Sequence, residues 1–203
     1  MSALAMAAEV PKWVGVSVVL VAVLGGVGIG AYLYFNRLYH YGVVQEGVLY
    51  RDGVRSMGEF GRALSRSKVR AVVSLVDAKE AGQEPFVSEV AKLREEGIEH
   101  VAIPVGLGRF PNTGDVRRFL AEVDGRKAKG ERVLVHCAQG IRRTGMVVAA
   151  YQMSEMGWSR ERAKAGILAF GHSQRTIGDI QRFIDVYDPK AREVTKDLGQ
   201  SKE

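Results

Sequence analysis

The sequence predicts an α/β domain, a parallel-type central sheet flanked by helices, preceded by one transmembrane helix. Three observations carry that expectation. The runs Val69–Val76, His100–Val105 and Arg132–His136 are short and rich in β-branched residues, the character of strands buried on both faces. Helical patterns lie between them, at Phe86–Glu96, stopped by Gly97, and at Asp115–Lys127, so strand and helix alternate and a parallel sheet follows. Near the amino terminus, Trp13 to Phe35 contains no charged residue.

The elements are justified in chain order. Residues 1–12 read as an N-terminal tail. Residues 13–35, as a helix, would be roughly 35 Å long, enough to cross a hydrocarbon core of about 30 Å with some tilt. Trp13 at one end and Tyr32, Tyr34 and Phe35 at the other read as interfacial anchors. A cleaved signal peptide has a shorter apolar run, and a buried soluble helix would be weakened by Gly25, Gly26, Gly28 and Gly30. An uncleaved single-pass anchor is therefore expected. Ala22, Gly26 and Gly30 form a small-xxx-small stripe that suits a transmembrane-helix dimer, or reflects the ordinary abundance of small residues in such helices. Arg37, Arg51 and Arg55 follow the run, whereas Lys12 and the amino terminus precede it, so the positive-inside rule places the domain in the cytoplasm.

Residues 36–46 read as a juxtamembrane linker and 47–189 as the α/β domain. A helix at Met57–Ser65 precedes the first of the three strands, a helix starts within Met146–Tyr151, another is capped by Ser159, and a last one spans about Thr176–Tyr187. Residues 190–203 are charged, lack apolar periodicity and read as a solvated tail.

The chain has 203 residues and a formal charge of +6, which favours anionic partners without choosing among them. Its single cysteine excludes an internal disulfide scaffold, and its four scattered histidines offer no metal-ligand spacing; no metal and no cofactor is expected. Nucleic acid is not an expected partner, because the basic charge comes with no recognised binding motif.

The residues of greatest chemical content are His136-Cys137-Ala138-Gln139-Gly140-Ile141-Arg142-Arg143-Thr144-Gly145, in a strand, tight loop and helix start. The backbone N–H groups of Ala138 to Arg142 can turn inward at the positive end of the following helix and form an anion nest, with a dianionic phosphate as the natural occupant. Cys137 at its lip, beside Arg143 and a helix N-terminus, is expected to ionise below the free value of about 8.5 and to serve as a nucleophile. A lone cysteine is ordinarily a small buried hydrophobe, but the flanking His, Gly, Arg and Thr-Gly argue otherwise here. A Walker-type loop would need Gly-Lys-Ser/Thr at its end.

These ten residues match H-C-x-x-G-x-x-R-[ST]-G, and the stretch from about Gly47 to Asp188 resembles the catalytic domain of the cysteine-dependent protein tyrosine and dual-specificity phosphatases. Glu46-Gly47-Val48-Leu49-Tyr50-Arg51 resembles the opening strand of the compact bacterial and plant-fungal group. Asp52-Gly53-Val54-Arg55 departs from that group's usual Ser-Gly-Gln-Pro.

The resemblance implies a phosphoric monoester hydrolase in which Cys137 attacks phosphorus and water hydrolyses the cysteinyl-phosphate. Arg143 would hold two phosphate oxygens through its fork. Thr144 would hydrogen-bond the sulfur, cap the helix, or do both. His136 would orient the loop, Gly140 and Gly145 would allow the tight turn, and Arg142 would add rim charge or be a solvated cation. The substrate would be a phosphoprotein, as for a dual-specificity or tyrosine phosphatase, or else a phosphoinositide or inositol polyphosphate. Arg109, Arg117, Arg118, Arg126, Lys127 and Arg142 would help either. A catalytically weak phosphate-binding membrane scaffold would have lost Cys or Arg from the loop.

Relatives place an acidic Asp shortly after a strand ending Ile-Pro-Val, to protonate the leaving oxygen. Here Ile103-Pro104-Val105 is followed by Gly106 to Pro111 with no carboxylate, and Asp115 is the first available. Asp115 is either the general acid or a helix N-terminal residue, with Glu84 or water as other proton sources.

Overall fold

The computed structural model describes residues 19, 21–30, 38–170 and 173–200. The chain divides into two units, Met1–Arg37 and Leu38–Glu203.

In the first unit the described helix covers residues 21–30. No described helix is long and apolar enough to cross a membrane. The membrane localisation expected from residues 13–35 is therefore corrected, and the single-pass anchor and the transmembrane-helix dimer find no support among the described residues. Ten residues rise about 15 Å, half of a hydrocarbon core. Residue 19 is also helical, and the remainder of 13–35 lies outside the described residues.

In the second unit a five-stranded sheet has the order β1 (Gly42–Gln45), β2 (Leu49–Gly53), β5 (Val133–Cys137), β3 (Ala71–Ser74) and β4 (Glu99–Ala102). The three remaining pairings, β2 with β5, β5 with β3 and β3 with β4, are parallel, and β1 is an antiparallel edge strand joined to β2 by a tight turn at Gly47. Residues 42–45 were expected within a linker; β1 forms because its ladder with β2 satisfies backbone groups that a linker would leave to water.

Period-two alternation in β5 sorts its side chains between two cores. Val133, Val135 and Cys137 face one, with α4 (Thr113–Ala128), α5 (Arg142–Glu155) and α7 (Gln174–Val186) packed on it. Leu134 faces the other, beneath α1 (Met57–Ser67) and α3 (Phe86–Glu95). A short helix α2 (Ala78–Ala81) and α6 (Arg160–Gly166) complete the helices. The expected strands are recovered in shortened form, but their ladder continues: Leu75 N donates to His136 O, Ile103 N to Ser74 O, and Val105 N to Leu75 O.

The path decides where the site lies. Strand β5 enters between β2 and β3 after the chain has already built β3 and β4, so its carboxyl end emerges where the strand order switches.

Residues 190–200 are not the solvated tail the sequence implied. A two-stranded hairpin joins β6 (Tyr187–Asp188) to β7 (Glu193–Val194). Arg192 pairs with Asp124 (3.1 Å) and Glu155 (2.6 Å), Leu198 packs against the core, and Gln200 bridges to Arg109. These contacts come from separated residues and leave no local periodicity to read.

Candidate active site

The residues expected to form the phosphate loop follow the central strand directly. Cys137 ends β5 at 3% exposure, and Arg143 to Tyr151 are buried in the first turns of α5. The loop's carbonyls are turned outward to partners. Ala138 O accepts from Val54 N (3.1 Å), Gln139 O lies 2.6 Å from His40 Nδ1, and Gly140 O accepts from the buried Arg51 Nη2 (2.6 Å). In a planar trans peptide N–H points opposite to C=O, so the amides of Gln139, Gly140 and Ile141 face away from those partners, towards the centre of the loop.

Two glycines permit this wrapping. At Gly140, with φ +66°, an added Cβ would lie 2.2 Å from Asp52 O; at Gly53 it would lie 2.4 Å from Gln139 O. Gly53, the position at which Asp52-Gly53-Val54-Arg55 agrees with the resembling group's Ser-Gly-Gln-Pro, therefore has a steric use here.

Arg143 is held on one side. Its Nη1 donates to Glu80 Oε2 (2.6 Å), Leu75 O (3.1 Å) and Val105 O (3.1 Å), while Nη2 donates to Glu80 Oε1 (2.9 Å). Nε and the second Nη2 proton are left over. Glu80 is itself fixed as the third residue of α2, in a capping box with Asp77.

The electrostatics favour a thiolate. Burial pushes the Cys137 thiol up, but the Arg143 cation, the Thr144 hydroxyl and amide, and His136 together bring it below the ordinary thiol value. His136 projects from the opposite face of β5, fully buried, with Nε2 2.7 Å from Glu89 Oε1 and its ring edge-on to Phe60. Burial lowers its basicity, but the Glu89 carboxylate overcomes this and raises it. Beside it in register lies Asp52, 1% exposed, pushed up to about 7 by burial against the pull of Gly53 N–H and His136.

A cavity of about 190 Å³ opens above Cys137, lined by Glu80, Leu107, Gly108, Cys137, Ala138, Gln139, Arg142 and Arg143. Thus Cys137, Ala138, Gln139, Arg142 and Arg143 share one pocket; Gly140 and Ile141 are buried and do not line it, Thr144 is buried next to Arg143, and Gly145 N bonds back to Ile141 O. Asp115 is not in that pocket. Its carboxylate accepts from Asn112 N (2.9 Å) and its own N–H donates to Asn112 Oδ1 (3.0 Å), the capping box of α4. It lines a separate cavity of about 480 Å³ between the loop after β4 and residues 194–200.

Of the basic residues expected to serve a polyanion, Arg142 alone lines the Cys137 pocket. Arg126 pairs with Glu99, Glu122 and Glu131, and Arg117 with Glu193. No described group of three or more His, Cys, Asp or Glu could hold a metal ion.

Sequence reading missed Glu80, Glu89, Arg51, Asp52 and Asp179. Asp77-x-x-Glu80 carried a readable signal, the capping-box spacing, but nothing in it pointed to Arg143.

The comparisons with known proteins agree with this geometry. Mouse protein phosphatase Slingshot homolog 3 is 40% identical over 54 residues, 27% of this chain; the match spans 8% of that relative's length. The structure of TpbA from P. aeruginosa superposes with a TM-score of 0.58 at 21% identity, covering 72% of this chain and 84% of that one. The core catalytic domain of the S. cerevisiae PP-IP phosphatase SIW14 gives 0.61 at 19% identity, covering 75% and 87%. These structures share the fold. The family model described as DSP-PTPase phosphatase fused to NAD+ kinase matches residues 46–184, from the turn before β2 to the end of α7, and the chain belongs to that family.

Proposed function

We propose that this chain hydrolyses phosphoric monoesters through a cysteinyl-phosphate, with phosphorylated protein side chains as the first substrate class. The observation that carries this reading is the shared pocket of Cys137 and Arg143: a thiol held towards its thiolate, beneath amides turned inward and beside a guanidinium with N–H groups to spare. A phosphate seated on those amides presents phosphorus to the sulfur. The S–P bond forms as the P–O bond to the leaving group breaks, and the pair of electrons goes to the departing oxygen. Water then attacks the thiophosphate, releasing inorganic phosphate and the thiolate. The donors that hold the equatorial oxygens strengthen as charge spreads in the transition state.

Thr144, buried next to the sulfur, stabilises the thiolate in both steps. Asp115 is assigned to the α4 cap. The phosphoprotein reading is favoured because the pocket is lined by two cations, Arg142 and Arg143, and Arg142 is tied through all three of its nitrogens to Asp179 and the loop carbonyls, whereas an inositol polyphosphate would need several more cations facing it. That second class is supported by the fold shared with the PP-IP phosphatase.

Steady-state rates of the full chain on phosphotyrosine, phosphoserine and phosphothreonine peptides, a phosphoinositide and an inositol polyphosphate test the proposal. Cys137→Ser should abolish turnover while phosphate still binds, since the backbone donors remain. A Ser variant within about tenfold of the parent would sink the covalent mechanism.

A further inference from the structure

The sequence places two consecutive arginines before Thr144, and the structure sends them in different directions. Arg143 points across the pocket to Glu80. Arg142 points at the loop joining β4 to α4. Its Nη1 donates to Arg109 O (2.7 Å), its Nη2 to Gly108 O (3.1 Å), and its Nε to Asp179 Oδ2 (2.5 Å) on α7. The plane of the guanidinium lies over the Phe110 ring, 4.8 Å from its centre. Arg182 covers the same ring at 5.1 Å and is held by the other oxygen of Asp179 at 2.6 Å.

One buried carboxylate, 5% exposed, therefore anchors two cations that grip Phe110, and one of those cations also binds two successive loop carbonyls. Every nitrogen of Arg142 is engaged. Leu107 and Gly108, on the same loop, line the pocket above Cys137.

We propose that Arg142 is a positioning residue rather than a phosphate ligand: with Asp179 it clamps the 106–110 loop against the phosphate loop and so sets the wall of the Cys137 pocket before substrate arrives. A lysine cannot replace it, since a single ammonium cannot reach a carboxylate and two carbonyls in one plane. Because the clamp acts on the wall and not on phosphorus, its loss should fall chiefly on KM. The kinetic consequence rests on the phosphatase reading; the clamp itself does not.

Two measurements on the full chain separate these layers. Amide hydrogen exchange of Gly108 to Phe110 should speed at least about tenfold in Arg142→Lys and in Asp179→Asn. The double variant should be no worse than about the worse single one, because both act through one contact. Under turnover of an aryl phosphate, KM should rise about tenfold in each variant, while the pH midpoint for alkylation of Cys137 stays at the parent value. Unchanged exchange in both variants, or additive effects in the double, would overturn the clamp. A rise in KM for Arg142→Lys with the loop still protected would instead make Arg142 a direct substrate contact and also overturn it. A parent chain that turns over no phosphomonoester would refute the proposed function, and the exchange measurements would still decide the clamp.

Discussion

Glu80→Gln is the most informative single change at the candidate site. Glu80 accepts two hydrogen bonds from Arg143, at 2.6 and 2.9 Å, with the two side chains only 16% and 7% exposed, so water is poorly placed to substitute. Hydrogen bonds to charged groups contribute about 1.5–3 kcal/mol and neutral ones about 0.5–1.5. Gln keeps one acceptor and turns the other towards Arg143 as a donor, so roughly 2 kcal/mol of orienting energy is lost. If most of that is felt where Arg143 meets the transition state, kcat falls between about 10- and 100-fold. A Gln at the third position still satisfies the capping box of α2, so the fold should hold. Removing the carboxylate also leaves the Arg143 charge less neutralised, which lowers the Cys137 thiol further. The assay is kcat and KM on an aryl phosphate across pH, together with the pH dependence of Cys137 alkylation. The expected pattern is a lower kcat with an alkylation midpoint displaced to lower pH. A kcat within about twofold of the parent, or a midpoint moved upward, would refute the idea that Glu80 orients and tempers Arg143.

The other predictions concern the cap, the buried carboxyl and the loop glycine. Asp115→Asn should cost up to about 1 kcal/mol of stability, read by thermal melting, and slow good and poor leaving groups equally or not at all. A selective loss of about 10²-fold with poor leaving groups would make Asp115 the acid after all. Asp52, ordinarily at 3.8, is raised to about 7 in the fold, so the folded chain keeps this proton at pH values where the unfolded chain has lost it. The folded state then binds more protons than the unfolded chain between those values; stability from this group is complete below about 4 and lost as pH rises through 7. The interval corresponds to roughly 4 kcal/mol, so Asp52→Asn should flatten the fall in chemical-denaturation stability between pH 5 and 8, and an unaltered pH dependence would count against a neutral Asp52. Gly140→Ala should cost more than about 2 kcal/mol and abolish phosphate binding by calorimetry, because its Cβ has no room beside the Asp52 carbonyl and its φ is +66°. Normal phosphate affinity in that variant would show that the loop can re-form without its approach to β2.

What could be read from the chain alone was whatever depends on neighbours in sequence. The runs around Val72, Val101 and Leu134 specify strands through local apolar content, and Asp115 to Lys127 specifies a helix through its period. Cys137 to Gly145 reads as a phosphate loop because backbone donors, a cysteine and an arginine follow one another within nine residues. The apolar content of residues 13–35 was equally local, and it misled, because composition sets what a helix could cross and not how long the described helix is.

The tertiary structure decided what depends on residues far apart. Strand order put Asp52 beside His136 and Gly53 beside Cys137. Glu80, Glu89 and Asp179 became partners of Arg143, His136 and Arg142 from 63, 47 and 37 positions away. How each of the two adjacent arginines is held at the pocket, and whether Asp115 lies by the sulfur or at a helix end, follows from where those distant carboxylates and carbonyls come to rest. A charged side chain withdrawn from water goes to the partner that can replace its hydration, and that partner is set by packing rather than by spacing along the chain.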